Sequence, residues 1–171
     1  MYTYMWTHPG GRILFMGNEF GQTSEWNYRS ELDWYLLEHK YHKGVQTCIR
    51  DLNRILRASP ALVCNQFDPS GFEWVDVNHR EESVVVYRRK GAKKTEDLLV
   101  ILNLTPVPRW DWEIEVKDKF YTNEIFNSDD ERYGGSGDVY NPKVSRKTVN
   151  KNEKTFTIIV NLPPLGAIIL K

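Results

Sequence analysis

Near the start of the chain, a short apolar run hands over directly to side chains that bind polar ligands. Ile13 to Met16 ends in Gly17, and Asn18, Glu19, Gln22, Glu25, Trp26, Asn27, Asp33 and Trp34 follow. Acids and amides accept and donate hydrogen bonds to hydroxyls. Flat indole rings stack on the apolar faces of sugars. An apolar strand followed by such a loop is the way a barrel strand delivers groups to a carbohydrate site. Two carboxylates about 5 Å apart would suffice for retaining glycoside chemistry.

The loop holds Glu19, Glu25, Glu31 and Asp33, but acids in loops are mostly solvated or act as caps. Asp33 precedes an apolar helical turn and reads as an N-cap. Glu19 directly follows the apolar run, where a buried carboxylate needs a partner. A sugar hydroxyl or a neighbouring Arg would serve, and a positioning or structural role fits Glu19 better than direct chemistry. His39 and His42 lie three residues apart without an evident third metal ligand, so a surface pair is expected. Tyr133-Gly134-Gly135-Ser136-Gly137 lacks the Lys-Ser/Thr ending and strand-to-helix setting of a phosphate loop. Its glycines read as turn residues. No serine has an evident base or oxyanion hole.

The elements that must position these groups divide near residue 65, with one strand and helical segments before it and strands only after it. Ile13–Met16 reads as a strand buried on both faces. Leu32 to Glu38 reads as a helical turn or short helix. In Gly44–Ala58, Val45, Cys48, Ile49, Leu52, Ile55 and Leu56 form one helical stripe, and Pro60 stops the helix. From Phe72 the period becomes two. Strands are predicted around Phe72–Asp76, Ser83–Arg89, Leu98–Leu104, Arg109–Val116, Phe120–Phe126, Thr155–Leu162 and Gly166–Leu170. Trp110, Trp112, Ile114 and Val116 are expected to share one face. Asn127 to Asp138 reads as a turn-rich loop, and Asn150 to Lys154 as a solvated hairpin tip. Roughly seven or eight short strands argue an antiparallel sandwich.

The 171 residues suffice for a core without disulfides or metals. Lys plus Arg equals Asp plus Glu, giving zero formal net charge, so electrostatic capture of nucleic acid or an anionic membrane is not expected. The aromatic content of 13% suits a β-rich core or sugar stacking. Cys48 and Cys64 are too few for a disulfide framework, and Cys48 is expected to be a buried free thiol. MYTYMWTHPGG has no secretory pattern, and no apolar run would span a membrane. A reducing, cytoplasmic setting is expected, without cofactor, metal, nucleic-acid or membrane partner. The Asn103-Leu104-Thr105 glycosylation triplet has no meaning there.

HPGGRILFMGNEFGQTSEWNYRSELDW resembles the glycogen (1,4-α-glucan) branching enzymes of the α-amylase superfamily. The resemblance continues through RDLNRILRASPAL, DPSGFEWVDVNHREESVVVYRRK, IFNSDDERYGGSG and LPPLGAIIL. Gly11, Gly17 and Glu19 match a pattern shared across the superfamily. The Glu-Trp-Asn, Leu-Asp-Trp and Tyr-Gly-Gly-Ser-Gly loops narrow it to branching enzymes. The resemblance implies a mainly β fold: an antiparallel β-sandwich at residues 66–171, preceded at 1–65 by the last strand and helices of a (β/α)8 barrel. It implies a C-terminal fragment whose parent cleaves α-1,4 bonds and forms α-1,6 branches in glycogen. The nucleophile, acid/base and stabilising carboxylates of that family lie on earlier barrel strands, and no position here matches them. The fragment alone is expected to be inactive and structural, the alternative being a glucan-binding β module. Only the cleft rim carries over: Glu19, Gln22, Trp26 and Trp34, as support or as contacts to an acceptor α-glucan chain. With the barrel strand orphaned, residues 1–30 are expected to pack irregularly on the β-domain or to pair with a second copy.

Overall fold

The computed structural model describes residues 1–117, 121–150 and 155–171. The strands are β1 (Phe72–Asp76), β2 (Val84–Arg89), β3 (Leu98–Asn103), β4 (Arg109–Lys117), β5 (Glu124–Asn127), β6 (Ser145–Asn150), β7 (Thr155–Leu162) and β8 (Ala167–Leu170), of which β3, up to Leu102, and β8 are unbroken apolar runs and β6 is a largely polar strand missed in the sequence. They form two antiparallel sheets, a five-stranded one in the order β1-β2-β3-β8-β5 and a three-stranded one in the order β4-β7-β6. Val84, Val86, Leu99, Ile101, Ile168 and Leu170 of the larger sheet meet Ile114, Val116, Ile158, Val160 and Leu162 of the smaller one. This is the predicted sandwich. The expected strand at 120–126 is limited to β5, with Phe120 outside the described residues, as is most of the expected hairpin tip at 150–154.

The helices lie on the other face of the larger sheet. They are α1 (Tyr2–Thr7), α2 (Lys40–Ala58) and α3 (Pro60–Val63). Trp6, Ile49, Leu52, Ala61 and Leu62 pack on Tyr87, Leu98, Val100, Leu102, Phe126 and Ile169. Strand β3 is therefore buried at every position. Its odd and even residues project to opposite faces, and both faces are covered. Burying this second apolar layer removes Leu98, Val100 and Ile169 wholly from water, which contributes about 1.5–3 kcal/mol per large aliphatic side chain.

Arginines tie α1 to the sheet. Arg89 is fully buried; its Nη1 donates to the Thr7 carbonyl at 2.6 Å and its Nε to the Gly71 carbonyl at 3.1 Å. Burial, reinforced by Arg12, pushes its pKa down to about 10. Arg12 Nη2 donates to the carbonyls of Trp6 at 2.9 Å and Leu62 at 3.1 Å. Thr7 Oγ1 and the Tyr87 hydroxyl share a further hydrogen bond. The bonds to Trp6 and Thr7 satisfy carbonyls at the end of α1 that lack helical partners.

Several expectations need correction. Ile13–Met16 is not a strand. A strand exists only where a neighbouring strand takes its N–H and C=O groups, and none of the described strands pairs there. Ile13, Phe15 and Met16 are 79%, 55% and 49% exposed instead of buried, while Leu14 packs partly against the helical layer. Helix α2 begins at Lys40 rather than Gly44, because its first turn is too polar to betray helical periodicity. Pro60 does not simply stop it. Extended Ser59 intervenes, and Pro60 opens α3, where its missing N–H costs nothing. The helical turn expected over Leu32–Glu38 is present as a 3-10 turn, shortened to Trp34–Glu38. Residues beyond 65 are not strands alone, since 3-10 turns occupy Pro69–Gly71, Lys94–Glu96 and Glu131–Tyr133.

Trp110 also departs from expectation. The β4–β7 register runs from Arg109↔Leu162 to Trp112↔Val160, so Trp110 and Asp111 together oppose Asn161. This extra residue is a β-bulge. Asp111 adopts φ 50°, and its N–H donates to Asn161 Oδ1 at 3.0 Å. Trp112, Ile114 and Val116 keep the core face, whereas Trp110 is turned out and 58% exposed.

Candidate functional site

The expected rim is built on a tight reversal. Gly17 and Gly21, at φ 85° and 68°, bracket a 3-10 turn over Asn18–Phe20. These left-handed conformations favour glycine. Asn18 closes the reversal: its N–H donates to the Phe15 carbonyl and its Oδ1 accepts from the Phe15 N–H, both at 2.9 Å. The turn is pinned to the helical layer. Tyr2 Oη donates to the Asn18 carbonyl at 2.7 Å, and His42 Nδ1 donates to the Phe20 carbonyl at 2.9 Å. His42 thus serves as a strut, with its ring 6.2 Å from that of His39. Among the described residues no group of three or more His, Cys, Asp or Glu side chains could hold a metal ion.

Glu19 is half-buried and lines an open cleft of about 560 Å³ with Leu14, Met16, Gln46, Arg50 and Arg57. Its charge, after burial, helps push the Tyr2 hydroxyl pKa up. Gln22 spans the loop. Its Oε1 accepts from the Asp33 N–H at 2.9 Å, and its Nε2 donates to the Ser24 carbonyl at 3.3 Å. Trp34 lies against the fully buried Phe20, ring centroids 5.1 Å apart. Trp26 meets Phe15 edge-on at 5.2 Å. The four candidates thus form an inner group of Glu19, Gln22 and Trp34 around the reversal, with Trp26 reached through Phe15. Asp33 takes the N-cap position of the Trp34–Glu38 turn but makes no side-chain capping bond. Its Oδ2 is buried without a hydrogen-bond partner among the described residues.

Sequence reasoning missed the residues that join this region to the sandwich. The 127–138 loop docks on α2 through Tyr133, whose hydroxyl donates to Asp51 Oδ2 at 2.9 Å. Arg132 Nη1 approaches the same oxygen at 3.5 Å. A Cβ on Gly44 would lie 2.5 Å from the Tyr133 carbonyl oxygen, and one on Gly134 2.8 Å from the Tyr41 ring. Gly134 and Gly137 have the positive φ that a turn role requires, whereas Gly135 makes close approach to the Asp129 backbone. Asp129 accepts from Ser136 N–H at 3.0 Å and Oγ at 2.6 Å, locking the loop. Gly44 read from sequence as the first residue of the helix, so nothing in the sequence marked this joint.

Cys48 and Cys64 are both free. Burial, with help from Asp51, pushes the Cys48 thiol up to about 11. It is the neutral packing residue its place on the helical stripe implied. No described helix is long and apolar enough to cross a membrane.

Comparison with known proteins adds the following. The model of the alpha amylase C-terminal all-beta domain matches residues 74–171. The chain is 42% identical over all 171 residues to the 1,4-alpha-glucan branching enzyme GlgB of Aquifex aeolicus, of which it covers 27%. It is 44% identical over 171 residues to that of Rhodopirellula baltica, of which it covers 23%. The chain therefore spans about a quarter of the length of the curated relatives it matches. In fold it is similar to the debranching enzyme from Nostoc punctiforme, with a TM-score of 0.63 and 16% identity, over 98% of this chain and 29% of that one.

Proposed function

From the premise that this chain belongs to the family of the alpha amylase C-terminal all-beta domain, we propose that it serves as the C-terminal part of a 1,4-α-glucan branching enzyme. The observation that carries this is the identity to branching enzymes over the whole chain, helices and rim loop included. The proposed parent is a glycosyltransferase of glycogen synthesis, working in the cytoplasm on glycogen and amylose-like chains. It cleaves an α-1,4 bond and rejoins the chain as an α-1,6 branch.

Within that parent, residues 1–65 are the last part of the (β/α)8 barrel and residues 66–171 the C-terminal β-domain. The exposed Ile13, Phe15 and Met16 support this division, since a barrel would cover such a segment on both sides. Glu19, Gln22, Trp26 and Trp34 form the outer rim of the cleft that receives the glucan, as supports or as contacts. The sandwich acts structurally: it is joined to α2 through Tyr133 and Asp51 and supports the helix that carries the rim.

This chain alone carries no branching chemistry in this reading. Incubation of the purified chain with amylose is expected to leave the iodine-complex absorbance unchanged. A progressive fall would mean that the loop acids catalyse, and would overturn the reading. Self-association through the exposed 13–16 segment belongs to the same proposal. Light scattering that finds only monomer at high concentration removes it.

A second reading, a glucan-binding β module, draws on the outward-facing Trp110. Affinity electrophoresis in glycogen gels separates the contributions. Retardation abolished by Trp110→Ala supports the module, and retardation unaffected by it assigns binding to the rim.

A further inference from the structure

We infer that Gln22 is a positioning residue, holding Asp33 and Trp34 where a glucan chain meets the rim rather than touching the glucan itself. The inference rests on the glucan-rim reading above. Residues 23–31 are all exposed, and Gln22 and Asp33 are the half-buried residues on either side of them. The two are joined directly, since Gln22 Oε1 accepts from the Asp33 N–H at 2.9 Å across 11 positions. The other end of the carboxamide is also engaged, with Nε2 donating to the Ser24 carbonyl at 3.3 Å. The backbone fixes the side chain's root: the Gln22 N–H donates to the Gly17 carbonyl at 3.0 Å.

Gly17 is what allows this arrangement. A Cβ there would lie 2.7 Å from Gln22 Cβ and 2.9 Å from its Oε1. Only a residue without a side chain lets the glutamine lie across the reversal, and the φ of 85° favours the same choice. The bond to Asp33 sets the backbone immediately before Trp34, and the ring beneath Trp34 is the buried Phe20. Trp34 is thus held from two sides, by a backbone bond and by a packed ring. A loop closed in this way loses conformational freedom before any ligand arrives, so less is lost on binding.

Three versions of the 171-residue chain separate positioning from contact: wild type, Gln22→Glu and Gln22→Met. Glutamate keeps an oxygen acceptor for the Asp33 N–H, while methionine keeps the shape and removes the acceptor. The readouts are hydrogen–deuterium exchange at the Asp33 amide and retardation of each protein in glycogen gels. Gln22→Met is expected to speed Asp33 exchange about three- to tenfold, the worth of one modest hydrogen bond, and to weaken retardation. Gln22→Glu keeps the acceptor for the Asp33 N–H but loses the donor to the Ser24 carbonyl, so it is expected to preserve Asp33 protection and to retain more retardation than Gln22→Met. Loss of retardation in Gln22→Glu with Asp33 still protected would make Gln22 a direct contact and overturn the inference. Unchanged Asp33 exchange in Gln22→Met would do the same. Wild-type protein that is not retarded overturns the glucan rim, and with it the role assigned to Gln22, whereas the Asp33 exchange then reads the bond independently.

Discussion

The Tyr133 hydroxyl donates a 2.9 Å hydrogen bond to Asp51 Oδ2 across 82 residues of chain. It joins the middle of α2 to the loop that leaves β5. Asp51 is the hub of a small network, since Arg54 Nη1 donates to its other oxygen at 2.9 Å. Tyr133 also stacks on Phe126, with centroids 5.5 Å apart at an interplanar angle of 25°. Burial and the Asp51 carboxylate together push the Tyr133 hydroxyl pKa up. The joint is therefore a neutral phenol held on a carboxylate, braced from one side by an aromatic ring.

Tyr133→Phe keeps the ring and deletes the bond. Urea denaturation is expected to show a loss of about 1.5–3 kcal/mol, the range for a hydrogen bond to a charged acceptor. An unchanged midpoint would mean that the bond contributes nothing to holding the helices on the sandwich.

Gly44 tests the same joint from the helix side. Helix propensity alone says that Gly44→Ala should stabilise by up to about 1 kcal/mol. The added methyl would fall 2.5 Å from the Tyr133 carbonyl oxygen, which is backbone and cannot swing aside. Overpacking of that kind costs about 1–3 kcal/mol, so a net destabilisation is expected in the denaturation midpoint. Stabilisation would show that the loop yields freely.

Cys48 predicts an alkaline transition. Its folded pKa is about 11, raised from 9.0, so the folded chain holds a proton that the unfolded chain releases. The stabilisation is complete below the unfolded pKa and is lost as pH rises through the folded one. Stability should fall by about 2 kcal/mol between pH 9 and pH 11. Tyr87 and Tyr121, also raised by burial, add to the fall above pH 10. The comparison is therefore with Cys48→Ala, whose pH profile should be flatter by that amount. Parallel profiles would refute the cysteine contribution.

The bulge in β4 makes the two tryptophans unequal. Trp112 packs against the sandwich core and meets His79 edge-on at 4.7 Å. Its truncation to alanine is expected to cost about 3 kcal/mol or more by calorimetry. Trp110→Ala should stay within about 0.5 kcal/mol, as for other exposed positions. Equal losses would mean that both rings share the core face.

Much of the sandwich was legible because its signals are local. The alternation of Trp112, Ile114 and Val116 and the unbroken Leu98–Leu102 run belong to consecutive residues, and each strand turned up where they lie. Trp110 broke the pattern through a register shift decided opposite it, at Asn161 on β7. No window of sequence around Trp110 contains that information. Ile13–Met16 shows the complementary failure. Its composition is that of a buried strand, but strand formation needs a neighbour, and the described residues supply none.

The rim was legible in kind and not in arrangement. Glu19, Gln22, Trp26 and Trp34 announced themselves as residue types that bind sugars. That Gln22 reaches Asp33, that Trp34 rests on Phe20, and that Trp26 rests on Phe15 depend on the reversal at Gly17 and Gly21. The Asp51–Tyr133 joint was invisible, since its partners lie 82 residues apart and each alone reads as an ordinary surface residue.

By itself the sequence determined which segments are apolar, which alternate and which side chains can bind or ionise, because these properties reside in single residues and their neighbours along the chain. Only the tertiary structure decided which face each strand buries, where α2 meets the sandwich and how the rim loop is held. Those outcomes depend on contacts between residues far apart in sequence, where one methyl group or one hydrogen bond is enough to choose between arrangements.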